Sequence, residues 1–263
     1  MVDPVEAIGK AREAVTHRAE LPGMSLMEHL DELRRRIVHS ALYLGAGFAI
    51  AYFFHERLYG LVQQPLDRLH IKLNYTHPMD ALNLYLQVSL IGGAILASPF
   101  ILFQVWLFIA PGLYQKERRF VVPFMVATVG LFLTGAAFGY FFVLPGALKI
   151  LIVDFGKHFN PIITIEEYTG FFLSIILGLG ISFEMPILIF FLALFGIVSP
   201  QFLWKNIRYA VLAVFLVAAI ITPSPDPWTM CIYAIPMLCL YLIGIGVAWW
   251  VHPSRRKAKE ATP

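Results

Sequence analysis

The charged residues of this chain occur in short clusters that are separated by long uncharged apolar runs. Between Asp80 and Lys149 there is only one such cluster, at residues 116–119. On either side of it the chain is apolar for long enough to cross the hydrocarbon core of a bilayer as a helix. The pattern therefore predicts two membrane spans joined by a short charged loop. Ala110-Pro111-Gly112 supplies the helix break at the entrance to that loop.

The composition supports the same class of protein. Of the 263 residues 59% are hydrophobic and 14% are charged, whereas soluble domains carry about 25% charged residues. The basic residues lie at the ends of apolar runs and form no stripe with aromatic residues, so the sequence gives no support for nucleic-acid binding. Cys231 and Cys239 are too far apart on one helix for a disulfide, and we interpret them as packing residues.

The apolar runs predict an all-α integral membrane protein. We expect a polar N-terminal extension at residues 1–23, a six-span membrane domain at residues 24–252 and a basic cytoplasmic tail at residues 253–263. The third span is expected to stop at Pro145-Gly146, and a capping box at Thr164 should open the fourth. The six spans are predicted at about 37–54, within 81–110, and at about 120–144, 164–195, 209–222 and 228–250.

The last two spans differ from the others. Tyr209–Thr222 holds 14 residues, a rise of about 21 Å against a hydrocarbon core of about 30 Å. We expect the fifth and sixth spans to be a short pair whose proline-rich tip, residues 223–227, lies below the outer surface. Local thinning of the bilayer is the expected response.

The orientation follows from the distribution of lysine and arginine. The segments 1–36, 116–119, 205–208 and 255–259 hold 15 of the 20 Lys and Arg residues, and the loops on the opposite side hold 5. This asymmetry predicts that both termini are cytoplasmic. Four tryptophans are expected in an aromatic belt at the inner interface: Trp106, Trp204, Trp249 and Trp250.

Three stretches of the sequence are similar to one known family. They are HLDELRRRI at 29–37, FQVWLFIAPGLYQKERR at 103–119 and GISFEMP at 180–186. In this order, and placed among six spans, they resemble TatC, the signal-recognition core subunit of the twin-arginine protein translocase. The resemblance covers residues 24–252 and implies a multi-pass protein of the cytoplasmic (inner) membrane.

Glu32 and Glu117 are the candidates for binding a cationic ligand. Carboxylates accept the planar, bidentate donors of a guanidinium group. The alternative for Glu117 is a favourable interaction with a helix dipole, and for Glu32 a surface ion pair with Arg36. The resemblance implies that both recognise a twin-arginine signal peptide, together with four further residues: Arg34, Phe108, Leu113 and Tyr114.

Glu184 is the one ionisable residue well inside a predicted span. An intramembrane carboxylate is costly and is by default a functional-site hypothesis. The alternative is a structural hydrogen bond to a polar neighbour such as Gln104 or Gln87. The resemblance implies that Glu184, with Gln104, lines a groove within the membrane.

Asp226 lies in the proline-rich tip, where an aspartate is also a common turn former. The resemblance implies that Asp226 and Thr222 lie where single-span TatA- and TatB-type subunits dock. The usual Pro-Pro-Asp of the family reads Pro-Ser-Pro-Asp here, and a frequent glutamine is replaced by Thr229-Met230.

Catalytic sites are not indicated by the sequence. His55-Glu56 lacks the second histidine of a zinc motif because position 59 is a tyrosine. We therefore expect no enzyme activity, no cofactor and no metal. The predicted function is that of a receptor, homo-oligomeric within a complex, that binds signal peptides and organises partner subunits for export of folded proteins. The alternative is a proton-coupled secondary transporter using Glu184, although the inverted repeat typical of many transporters is faint at most.

Overall fold

The computed structural model describes residues 26–109, 121–222 and 226–251. All of the secondary-structure elements longer than an isolated bridge in these ranges are helices. The α-helices are α1 Leu26–Phe53, α2 His55–Asp67, α3 Asp80–Ile109, α4 Val121–Phe138, α5 Leu144–Leu148, α6 Ile165–Ser182, α7 Met185–Leu194, α8 Pro200–Lys205, α9 Ile207–Ile221 and α10 Pro227–Val251.

Five helical stretches are long and apolar enough to cross a membrane, and α9 is a shorter apolar helix. The multi-pass, all-helical class is therefore confirmed. The count of six spans, the cytoplasmic position of both termini and the division at residues 23 and 252 remain predictions, and residues 1–25 and 252–263 lie outside the described ranges.

Helices α1 and α3 pair antiparallel along most of their length. Side chains or backbones meet at His29 and Phe108, at Tyr43 and Phe100, and at Gly47 and Gly93. Each step forward on α1 is matched by a step backward on α3. The N-terminal end of α1 is thereby held beside the C-terminal end of α3.

The predicted stop of the third span at Pro145-Gly146 is wrong. The chain stays helical through Phe155, because α4 passes into a π-helical segment at Gly139–Val143, then into α5, and then into a second π-helical segment at Lys149–Phe155. Pro145 follows directly on the π-helical segment and lies in the first turn of α5, so its missing amide donor falls where the hydrogen-bond pattern changes rather than within a regular α-helix. It therefore begins a segment rather than ending a helix.

The fourth span begins as predicted and then divides. The hydroxyl oxygen of Thr164 accepts a hydrogen bond from the backbone N–H of Glu167 at 3.3 Å, so the capping residue is confirmed. The α-helix is interrupted at residues 183–184 and resumes as α7, with Pro186 in its first turn.

The prediction of a short fifth helix is confirmed, and the prediction of a short sixth helix is wrong. Helix α9 has 15 residues, which rise about 22 Å. Helix α10 has 25 residues, which rise about 37 Å and exceed a bilayer core of about 30 Å. Pro236 lies inside α10 without ending it, since proline is tolerated in membrane helices whose neighbours support them. Helix α10 packs against α7, α8 and α9 in turn.

Helix α2 is fixed to the rest of the fold by two tyrosine hydroxyls. Tyr140 donates to the backbone carbonyl of Leu61 at 2.9 Å, and Tyr168 donates to that of Val62 at 2.7 Å. Val62 and Leu66 of α2 are buried in the core that α3, α4, α5 and α6 share. Helix α2 therefore closes the end of the bundle opposite the start of α1.

Candidate functional site where α1 meets α3

Glu32 forms an ion pair with Arg36 one turn later on α1. The guanidinium Nη2 donates to Oε1 of Glu32 at 2.9 Å, and Nη1 donates to Oε1 of Gln104 on α3 at 3.0 Å. The side chains of Arg36 and Glu32 are 23% and 17% exposed, whereas Gln104 is buried at 4%. One arginine therefore connects a partly exposed carboxylate to a buried amide on the neighbouring helix.

Phe108 lies on the same side of the α1–α3 pair. Its ring stacks on the ring of His29, with centroids 4.5 Å apart and planes at 28°. His29, Glu32 and Arg36 lie three and four positions apart, so they share one face of α1. An acid, a cation and an aromatic ring thus meet in one place, and such a surface can bind a cationic ligand that carries apolar groups.

The other residues predicted for signal recognition are not brought into this contact by the described structure. Arg34 is exposed and lies two positions from Glu32, on a different face of α1. Leu113, Tyr114 and Glu117 lie outside the described residues. Residues 110–120 follow directly on the end of α3, next in the chain to Phe108.

Arg36 and His29 were not assigned to the site by sequence reasoning. Arg36 was considered only as the surface partner of Glu32, and its bond to Gln104 spans 68 positions of sequence. The available signal was their place in the HLDELRRRI stretch, at helical spacing from Glu32.

Glu184 lies at the junction of α6 and α7 and is half-buried. Its Oε1 is buried and has no hydrogen-bond partner among the described residues. The structural hydrogen bond to Gln104 that the sequence left open is not formed in the described structure, where Oε1 of Gln104 accepts from Arg36. Gln87 lines a cavity with Asp80 and Glu166 near the start of α3.

Thr222 and Asp226 flank the proline-rich tip, of which residues 223–225 lie outside the described ranges. The Thr222 hydroxyl donates to the carbonyl of Ala218 at 2.8 Å and is buried. Oδ1 of Asp226 accepts from the N–H of Thr229 at 2.7 Å, which caps α10. Both residues therefore have structural roles at helix ends.

Two buried hydroxyls in the first turns of α10 were not predicted as features of this region. The Oγ1 of Thr229 and the hydroxyl of Tyr233 are buried and have no hydrogen-bond partner within the described ranges. They lie one turn apart. Across the same ranges no group of three or more His, Cys, Asp or Glu side chains is placed to hold a metal ion.

Comparisons with known proteins agree on one family. The family model "Sec-independent protein translocase protein (TatC)" matches residues 28–236. The TatC protein of Koribacter versatilis is 52% identical over 98% of this chain and 97% of its own length. That of Desulforapulum autotrophicum is 41% identical over 83% and 82%. A crystal structure described as the twin arginine translocase receptor TatC superimposes with a TM-score of 0.78 at 35% identity, covering 85% of this chain and 99% of that one.

Proposed function

The chain belongs to the TatC family of Sec-independent protein translocase proteins, and from this premise we propose that it is the signal-peptide receptor of a twin-arginine translocase. It binds the arginine pair of an incoming signal at the end of the bundle where α1 meets α3. Its cargo is a folded protein, and its place is the cytoplasmic membrane.

The observation that carries this proposal is the pairing of two distant motifs. The stacking of His29 on Phe108 and the bond from Arg36 to Gln104 join the HLDELRRRI stretch to the FQVWLFIAPG stretch. Glu32 is consequently beside the part of the chain that continues toward Glu117. Two carboxylates supplied by these two segments match two guanidinium groups on one peptide.

The carboxylates and the aromatic ring have different parts in binding the signal peptide. Glu32 and Glu117 accept the guanidinium N–H donors, and Phe108 offers an aromatic face against which an arginine or an apolar side chain packs. Leu113 and Tyr114 complete the recognition surface, whereas Arg34 lies outside it on another face of α1. The apolar segment of the signal then enters the membrane near Gln104 and Glu184, whose buried Oε1 is an available acceptor.

Partner subunits are recruited elsewhere on the protein. Single-span TatA- and TatB-type helices dock beside α9 and the tip between Thr222 and Asp226. Support comes from the length of α9, which is too short for an unperturbed bilayer, and from its exposed apolar residues Leu212, Leu216 and Ile220. The receptor works within a complex that contains further copies of itself.

The alternative of a proton-coupled secondary transporter is not favoured. It would need a chain of ionisable groups through the membrane. Within the described ranges the buried charged residues are limited to Asp80, at the start of α3, with Glu184 half-buried.

Photocrosslinking tests the receptor proposal directly. A twin-arginine signal peptide with a photoreactive group beside its arginine pair is bound to the full-length protein in nanodiscs and irradiated. We expect crosslinks within residues 29–36 and 104–117, and their loss in Glu32→Gln and Glu117→Gln. Crosslinks that concentrate on α2, at the opposite end, would contradict the proposal.

A further inference from the structure

The ion pair of Glu32 and Arg36 places a guanidinium group on the carboxylate that the proposed ligand needs. Nη2 of Arg36 contacts Oε1 of Glu32 at 2.9 Å, which is the type of contact an arginine of the signal peptide would make. This inference rests on the proposed function, because it assumes that Glu32 is an acceptor for the ligand.

The pair is held in a way that allows it to open. Within the described part of the chain, Arg36 reaches the carboxylate through a single N–H, whereas an incoming arginine can donate two parallel hydrogen bonds. Both side chains keep some exposure, 23% for Arg36 and 17% for Glu32, so a ligand can reach them.

Arg36 also keeps a partner when it leaves Glu32. Its Nη1 donates to Gln104 at 3.0 Å, independently of the carboxylate. Its Nε is buried without a partner among the described residues. The guanidinium therefore lacks one hydrogen bond in its present position. When it leaves Glu32, it still keeps the hydrogen bond to Gln104.

We propose that Arg36 is a built-in competitor for the carboxylate of Glu32, which sets the affinity that a cationic peptide must exceed in order to bind. Competition of this kind lowers the fraction of receptor that is ready to bind and weakens every cationic ligand by the same factor. Peptides with a single cation then fall below the binding threshold, whereas a peptide with two well-placed guanidinium groups remains above it.

The test compares Arg36→Met with the matched variant Arg35→Met, using full-length protein in nanodiscs and a twin-arginine peptide. Arg35 is an exposed neighbour whose side chain has no bond to Glu32 within the described ranges, so Arg35→Met controls for the loss of one positive charge. We expect Arg36→Met to tighten binding about fivefold more than Arg35→Met does. The gain should come from faster association, with dissociation unchanged, since the competitor acts before the ligand binds.

Weaker or unchanged binding by Arg36→Met would overturn the proposal, because it would make Arg36 a support for Glu32 rather than a competitor. If that variant does not accumulate, Arg36→Gln keeps a neutral donor for the buried Oε1 of Gln104 and removes the positive charge that competes for Glu32. The same gain is expected from it, and the same failure would count against the proposal.

Glu32→Gln separates this proposal from the one on which it rests. If Glu32→Gln binds the peptide as well as the native protein does, the ligand is not held by Glu32 and both proposals fail. If Glu32→Gln loses binding and Arg36→Met gains none, the receptor assignment stands and only the competitor fails.

Discussion

Gly47 and Gly93 meet backbone to backbone where α1 crosses α3. A Cβ atom built on Gly47 would lie 2.5 Å from the carbonyl oxygen of Gly93, and one built on Gly93 would lie 2.5 Å from the backbone nitrogen of Phe48. Side chains do not approach backbone this closely. The two glycines therefore set the distance between the helices that carry Glu32 and Phe108.

We expect Gly93→Ala to destabilise the protein by about 1–3 kcal/mol, because the added methyl group overpacks a contact between two backbones. Gly45→Ala is the matched control, since a Cβ there would meet nothing within 4 Å. Thermal unfolding in detergent measures both. Equal stability of the two variants would show that α1 and α3 can separate without cost.

Export of twin-arginine substrates should depend on the two carboxylates. We expect Glu117→Ala to abolish export, and Glu117→Arg to be at least as damaging, because it replaces an attraction for the signal's arginines by a repulsion. Glu32→Gln should also reduce export strongly. Glu56→Ala, on the exposed surface of α2, is the control and should export normally. Membrane levels are followed by immunoblot, and normal export by Glu117→Ala would refute the assignment.

Cysteine labelling tests the orientation. In a background of Cys231→Ala and Cys239→Ala, we expect Gln115→Cys and Ser254→Cys to be shielded from impermeant reagents applied outside intact cells. Asn74→Cys should react, since Asn74 is exposed in the connection between α2 and α3. Labelling of Gln115→Cys from outside would show that the orientation is the opposite of the predicted one and that the proposed signal site faces away from the cytoplasm.

The length of α9 should matter for partner recruitment. Four residues inserted after Ala219 add about 6 Å, which removes most of the mismatch between a 15-residue helix and the bilayer core. We expect recruitment of single-span partners to weaken while signal-peptide binding at α1 and α3 is kept. The same four residues inserted after Ser254 are the control. Normal recruitment and export by the lengthened protein would show that membrane thinning is not part of the mechanism.

Local features of this fold could be predicted from the sequence, since they depend on neighbouring residues. The cap at Thr164, the ion pair of Glu32 with Arg36 and the short α9 all follow from spacing within one helix. Pro145 misled the prediction because the π-helical segment before it has no recognised sequence signal. The sixth helix lies close to its predicted bounds of 228–250, and only its description as short is wrong.

Contacts between helices could not be predicted in the same way. Trp106 was expected in an aromatic belt, but it is buried at 3% exposure and donates its indole N–H to Thr128 at 3.1 Å. Its ring also contacts Phe191 on α7 and Phe124 on α4, with centroids 4.7 and 6.0 Å away. The stacking of His29 on Phe108 is likewise a contact between two helices. Such contacts depend on which helix faces cross, and periodicity leaves that open.

The two tyrosine hydroxyls that hold α2 have a consequence for how freely this part of the chain can change. Tyr140 and Tyr168 both donate to main-chain carbonyls, at Leu61 and Val62, and every residue type presents the same carbonyl. One side chain of α2 also takes part, since the Tyr140 hydroxyl lies 2.8 Å from Oε1 of Gln64. Apart from Gln64, the attachment therefore specifies a backbone path rather than the side chains along it. The other solvent-facing positions of α2 are free to accumulate substitutions and to acquire new surface chemistry, while the helix stays docked in place.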